Sequence, residues 1–175
     1  MSALRLINET EITSSVSSVD ITDVFSADFD IYKITTNNIS EVGVTAGNIN
    51  LRFINSSGSV ISSSDYDYAV LRCASSVAFS EFKSTTATNF TYFGGKTDVS
   101  AETNGSVGYI FNPTNTSSYT FGLYQNTTFA NSTNENHKGI GVLTLTANIT
   151  GFQIYFDGQT VNSGFIRTYG LRVDS

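Results

Sequence analysis

The sequence predicts an all-β fold, an antiparallel sandwich or barrel of about ten strands forming one domain over residues 1–175. Three observations carry this. Apolar and polar residues alternate with a period of two in run after run, as half-buried strands require. Gly, Asn, Ser and Asp separate the runs at a spacing of about 8–12 residues, where turns need them. Helical periodicity over three turns is absent. A chain of this length buries roughly 70% of its unfolded surface, enough for a core without staples. Its 13 Phe and 9 Tyr supply large area per residue and favour strands.

The elements follow in order. "EITSSVSSVDITDVFS" reads as a strand and then a turn near Asp20 to Asp23, because its Ser and Thr discourage a long helix. "FDIYKITT" is a strand candidate. "NINLRFIN" sets Ile49, Leu51 and Phe53 on one face and Asn50 and Arg52 on the other. "YDYAVLRC", "VAFSEFK" and "TNFTYFG" follow, then "GSVGYIFNP", which sets Val107, Tyr109 and Phe111 on one face until Pro113 stops it. "SSYTFGLYQ" aligns Tyr119, Phe121 and Leu123, and "GVLTLTA" is a further candidate. "ITGFQIYFDG" aligns Phe152, Ile154 and Phe156 before an Asp157-Gly158 turn. "GFIRTYGLRV" aligns Phe165, Arg167, Tyr169, Leu171 and Val173, a face expected to be core, and its natural neighbour is "ALRLI" near the start. The polar stretches 94–106 and 131–139 read as surface loops.

Charge narrows the partners. A net −6 with only 9 Lys plus Arg argues against nucleic acid, which needs clustered cations, and against anionic membranes. No stretch has the length of an apolar membrane span. The start shows no basic region followed by an apolar run, so manufacture in a cytoplasm without a secretory signal is expected. Cys73 is alone, which excludes an intrachain disulfide. Its parity with Ala69 and Leu71 predicts an inward, unreactive thiol. Nine Asn-x-Ser/Thr triplets, at Asn8, Asn38, Asn55, Asn89, Asn104, Asn115, Asn126, Asn131 and Asn148, follow from the abundance of these residues rather than from glycosylation.

Groups for chemistry are few. His137 is the only histidine, so any Ser-His-Asp or Cys-His hydrolase would depend on it, yet it lies in loop-like "NENHKG". Acidic pairs occur at Asp20/Asp23, Asp28/Asp30 and Asp65/Asp67. A glycosidase needs two carboxyls facing each other across a sugar, which sequence spacing does not provide. Asp65 and Asp67 on one strand face suit a solvated edge, with calcium as the alternative ligand. Tyr66, Tyr68, Tyr119, Tyr124, Tyr155 and Tyr169 offer flat faces for sugars, or core and interface residues with wet hydroxyls. "FGGK" at 93–96 lacks the helix of a phosphate loop. These residues predict no enzyme, no catalytic or metal residues and no cofactor.

Four stretches, "VDITDVFSADFDIYKITTNNI", "LRFINSSGSVISSSDYDYA", "GYIFNPTNTSSYT" and "IYFDGQTVNSGFIRTYGLRV", carry a resemblance. In order they resemble small virion structural proteins of marine tailed phages, such as those infecting cyanobacteria. The likeness runs from about residue 16 to the end. It implies a jelly-roll-like sandwich on the outside of a virus particle, most simply a capsid decoration or knob protein. The other role in the group is a receptor- or glycan-binding tip of a tail fibre. The implied partners are capsid or other virion proteins, further copies of the chain, and in the second role a host surface glycan. No catalytic residues come with the resemblance.

Overall fold

A computed structural model describes residues 3–42, 47–97, 104–130 and 132–172. The described residues form twelve strands and no helix. They are β1 (Ala3–Ile12), β2 (Ser18–Ile21), β3 (Ile31–Val42), β4 (Gly47–Asn55), β5 (Tyr66–Ala74) and β6 (Ser80–Ala87) in the first half. The second half holds β7 (Phe90–Thr97), β8 (Asn104–Phe111), β9 (Thr120–Ala130), β10 (Thr133–Leu143), β11 (Ile149–Phe156) and β12 (Thr160–Arg172). An eight-stranded sheet, in the order β1-β12-β3-β8-β9-β10-β5-β6, packs on a four-stranded sheet, β2-β11-β4-β7. All pairings are antiparallel.

The chain crosses from sheet to sheet between β1, β2, β3 and β4 and then retraces its path. β7 lies beside β4, β8 beside β3, β11 beside β2 and β12 beside β1. This nested pairing of eight strands in two sheets is a jelly roll. Two hairpins, β5–β6 and β9–β10, are inserted into it, and both extend the same sheet beyond β8. The closing strand is therefore central, held between β1 and β3.

The four-stranded sheet turns Ile49, Leu51, Phe53, Phe152, Ile154 and Phe156 inward, as their alternation predicts, and all are buried. On the large sheet the inward side is the opposite of the one that size alone suggests. In β8 the buried residues are Ser106 and Ile110, while Tyr109 stands outside. In β9 they are Thr120, Tyr124, Asn126 and Thr128, while Tyr119, Phe121 and Leu123 are exposed. In β12, Ile166, Thr168 and Gly170 face the core, and Phe165, Arg167, Tyr169 and Leu171 lie on the outer face. The expected core role of Phe165 is thus corrected, and Val173 lies outside the described residues.

Glycines explain the inversion. A Cβ on Gly122 would sit 2.6 Å from the Phe90 ring, one on Gly108 2.5 Å from Phe93, and one on Gly170 2.6 Å from Phe29. Gly141 meets Phe90 and Gly139 meets Tyr124 in the same way. Rings fill the hollows that these glycines leave, which is how a close-packed interior accommodates many aromatics. Phe90 is the hub. It stands edge-on to Phe53 and Tyr66, with centroids 5.4 and 5.5 Å away, and stacks on Tyr124 at 6.0 Å. The Tyr66 hydroxyl donates to the Ile61 carbonyl and accepts from the Phe53 amide, both at 2.9 Å.

The polar stretches also differ from their reading as loops. Residues 133–139 open β10, and 94–97 and 104–106 belong to β7 and β8, with 98–103 outside the described residues. "GVLTLTA" ends as a strand at Leu143.

Candidate functional site

The interior of the large sheet divides across its strands. Next to the glycine-and-ring half lies a polar half, where Thr36, Ser106, Asn126, His137 and Arg72 stand side by side on β3, β8, β9, β10 and β5. Asn104, Thr128 and Glu135 form the next row. Thr36 and Ser106 share a hydrogen bond. Asn104 donates to the carbonyls of Ile39 and Gly95 at 3.0 and 3.1 Å. Arg72 pairs with the buried carboxylate of Glu135.

His137 is fully buried in this half, not placed in a solvated loop. Its ring stacks on Tyr92 with centroids 4.6 Å apart. Asn126 donates from Nδ2 to the Tyr92 carbonyl at 2.8 Å, so its Oδ1 faces His137 Nδ1 at 3.1 Å and accepts the proton carried there. Burial pushes the Tyr92 phenol above its ordinary pKa. A general base must reach a substrate proton, and a ring without exposed surface does not. The cluster holds the end of the sandwich together.

The acidic pairs do not converge. Asp20 on β2 accepts from Gln153 Nε2 at 2.8 Å. Asp23 sits in the left-handed backbone region, with φ 56°. Asp28 accepts from the Ser26 hydroxyl at 3.1 Å, and the Asp30 carbonyl accepts from the Asn112 amide. Asp65 precedes β5, its carbonyl held by Thr144 at 2.8 Å, and Asp67 opens the outer face of that strand. Among the described residues no three His, Cys, Asp or Glu side chains are grouped to hold a metal ion.

The tyrosines scatter too. Tyr66 and Tyr124 are buried, and burial raises both phenols well above the ordinary value. Tyr68 packs partly against the core. Tyr119 and Tyr169 lie on the large sheet's outer side, the latter beneath Lys33 at 5.9 Å. Tyr155 lies on the small sheet, with the Arg52 guanidinium 4.4 Å over its ring. Burial pushes its hydroxyl up to about 12, opposed by Arg52. Cys73 is half-buried on the outer face opposite Asn136, so the inward assignment is corrected; it shares that face with the exposed Leu71. Of the glycosylation triplets, Asn104 and Asn126 are buried, which suits chance occurrence there; Asn131 lies outside the described residues.

What the structure does bring together is the outer face of the eight-stranded sheet. Leu4, Leu171, Ile31, Phe111, Phe121 and Val142 are successive cross-strand partners on six adjacent strands. The neighbouring row runs Leu6, Tyr169, Lys33, Tyr109, Leu123, Ile140. At a strand spacing of about 4.8 Å, these two rows span about 24 Å of surface. Leu4, Leu6, Leu123 and Ile140 are 40–58% exposed. Beside them a groove of about 830 Å³ runs along β5, β6, β9 and β10, floored by Phe121, Ile140, Val142 and Ala69, with Asp67 and Lys83 at its sides. Towards the other end the face turns polar, with Asn37, Gly105, Thr127 and Asn136 in one row. Apart from Lys33, the two rows form one exposed apolar surface. The alternation contained it, because Ile140 lies between two glycines that face the core.

No protein-family profile and no curated protein sequence matches the chain. Among solved structures it is similar, over 96% of its length, to a fructofuranosidase from Schwanniomyces occidentalis, with 8% identity and a TM-score of 0.37. The chain spans 34% of that enzyme. It is similar over 86% of its length to the alginate lyase of Aplysia kurodai, with 7% identity and a TM-score of 0.35, spanning 72% of it. It is similar over 90% of its length to the CBM2 module of the evolved Dit protein of Lactobacillus casei BL23 phage J-1, with 13% identity and a TM-score of 0.30, spanning 70% of it. Likeness at these scores transfers no activity.

Proposed function

We propose that this chain is a non-enzymatic structural protein on the outside of a tailed-phage particle, a capsid decoration or knob protein bound through the outer face of its eight-stranded sheet. One observation carries the reading: two rows, apolar but for Lys33, cross six strands with Leu4, Leu6, Leu123 and Ile140 exposed among the described residues. A side chain such as Ile140 at 58% exposure favours burial against another protein surface. The order of the phage-like sequence stretches supports the particle as the place where that surface is found. The test is negative-stain imaging of particles made without the protein, alongside particles carrying Leu123→Asp with Ile140→Asp. Capsids that lose an outer layer in both cases are expected. Unchanged capsid outlines would sink the reading.

A second reading, a glycan-binding tip of a tail fibre, is favoured by the four-stranded sheet. There Tyr155, Arg52, Gln153 and Asp20 form a polar and aromatic cluster of the type that meets sugars. It requires gold-labelled antibody to mark tails, and Tyr155→Ala to remove binding to host surface glycan. Labelling of heads alone excludes it.

A further inference from the structure

The geometry points to a self-complementary edge: β6 pairs antiparallel with β6 of a second copy, about a twofold axis through Phe82. This goes beyond the particle reading and does not depend on it. β6 is the terminal strand of the eight-stranded sheet, with its outer backbone groups unpaired among the described residues. Edge strands of this length template pairing unless they are blocked. A lone lysine blocks, because two copies bring like charges together. Here the lysine has a partner two residues away.

In that register Glu81 stands opposite Lys83 of the second copy, and Lys83 opposite its Glu81. Both side chains are exposed, 75% and 74%, and within the single chain they pair with each other at 3.2 Å. Opposite charges directly across a ladder stabilise pairing, and like charges destabilise it. The register has a second consequence. Phe79, just before the strand, is 71% exposed, the most exposed large apolar side chain among the described residues. Continuing the register by one residue sets it opposite Thr85 of the second copy. Thr85 lines the apolar groove of about 830 Å³ that Phe121, Ile140 and Val142 floor. Residues opposite one another in a ladder share a face, and Glu81, Lys83 and Thr85 all point to the outer one. The twofold thus delivers each copy's Phe79 to the other copy's groove. One operation satisfies the open edge, the charge pair, the exposed ring and the empty groove, as an isologous interface does.

The test is sedimentation equilibrium of the isolated protein, with circular dichroism to confirm that each variant is folded. The wild type is expected at twice its 18.9 kDa. Lys83→Glu sets glutamates against glutamates at two sites and is expected to weaken the dimer about tenfold or more. Phe79→Asp, in an exposed loop, is expected to do the same. Glu81→Lys combined with Lys83→Glu restores opposite charges in this register and is expected to restore the dimer. A wild type that stays monomeric overturns the proposal, and so does Lys83→Glu dimerising as tightly as wild type. Failure of the double exchange to rescue overturns the register. The substituted residues Phe79, Glu81 and Lys83 lie outside the two apolar rows, so particles made without the protein read attachment separately from these variants.

Discussion

The two halves of the large sheet solve the same problem by different physics. In one half, glycines on β8, β9, β10 and β12 receive rings from the rest of the fold, and cohesion comes from shape. In the other, Thr36, Ser106, Asn126, His137, Arg72 and Glu135 meet in hydrogen bonds and one ion pair, and cohesion comes from these directional contacts. The outer surface follows the same division, apolar over the ring half and amide-rich over the polar half. Position along the strands, not distance from solvent, sets the chemistry.

Alkaline pH gives the largest expected effect and should act first on the ring half. Burial holds Tyr66 and Tyr124 neutral above the ordinary value of 10.0. The unfolded chain releases those protons as pH passes about 10, whereas the folded chain keeps them. The stability they contribute is complete below that value and is lost as pH rises towards the folded ones. The phenolate absorbance of Tyr66 and Tyr124 and the circular dichroism should therefore change together in one cooperative step well above pH 10. Titration of Tyr66 and Tyr124 in a fold that stays intact would contradict their burial.

The next effect is Phe90→Ala, expected to cost about 3–5 kcal/mol in denaturant unfolding. Gly122→Ala alone should cost about 1–3 kcal/mol by overpacking. In the Phe90→Ala background it should cost less, since the obstructing ring is gone; equal costs would show that the two positions are not coupled. The remaining effect lies in the polar half and is smaller than that of Phe90→Ala. Arg72→Met leaves the Glu135 carboxylate without its cation and should cost about 2–3 kcal/mol, less than a fully buried pair because Arg72 is 24% exposed. Arg72→Met with Glu135→Leu should return to within about 1 kcal/mol of wild type. If the double variant is as unstable as the single, packing rather than charge pairing holds that half.

The strands were legible because alternation records a pleated, half-buried backbone whichever way it faces. Direction was not legible. "GSVGYIFNP" and "SSYTFGLYQ" show large residues on one parity and small ones on the other, and size suggests that the large ones go in. The inward residues include Gly108 and Gly122 because rings from β7 occupy their space, a long-range contact that no local pattern encodes. In β12 the Phe29 ring seated against Gly170 goes with an inward parity that leaves Phe165 on the outer face, and the outward parity of β5 carries Cys73. "NENHKG" failed for a different reason. Glu135 and His137 face a polar interior, so the strand carries no apolar residue at either position to reveal it. The apolar outer face was therefore present as alternation, and only its β12 part was assigned to the core.

The position of β12 governs when the protein can fold. β1 and β3 are made early, yet neither is hydrogen-bonded to the other; each is bonded to β12, the last of the described strands in chain order. Until Gly164–Arg172 has cleared the ribosome, both strands present open edges to every other nascent chain nearby. The domain therefore folds after its last strand emerges, not progressively from the first, and the high contact order of such closure makes it slow. A cell making many copies at once needs those edges kept apart for that interval, so yield should respond to chaperone supply and to the rate of translation more than to the stability of the finished sandwich.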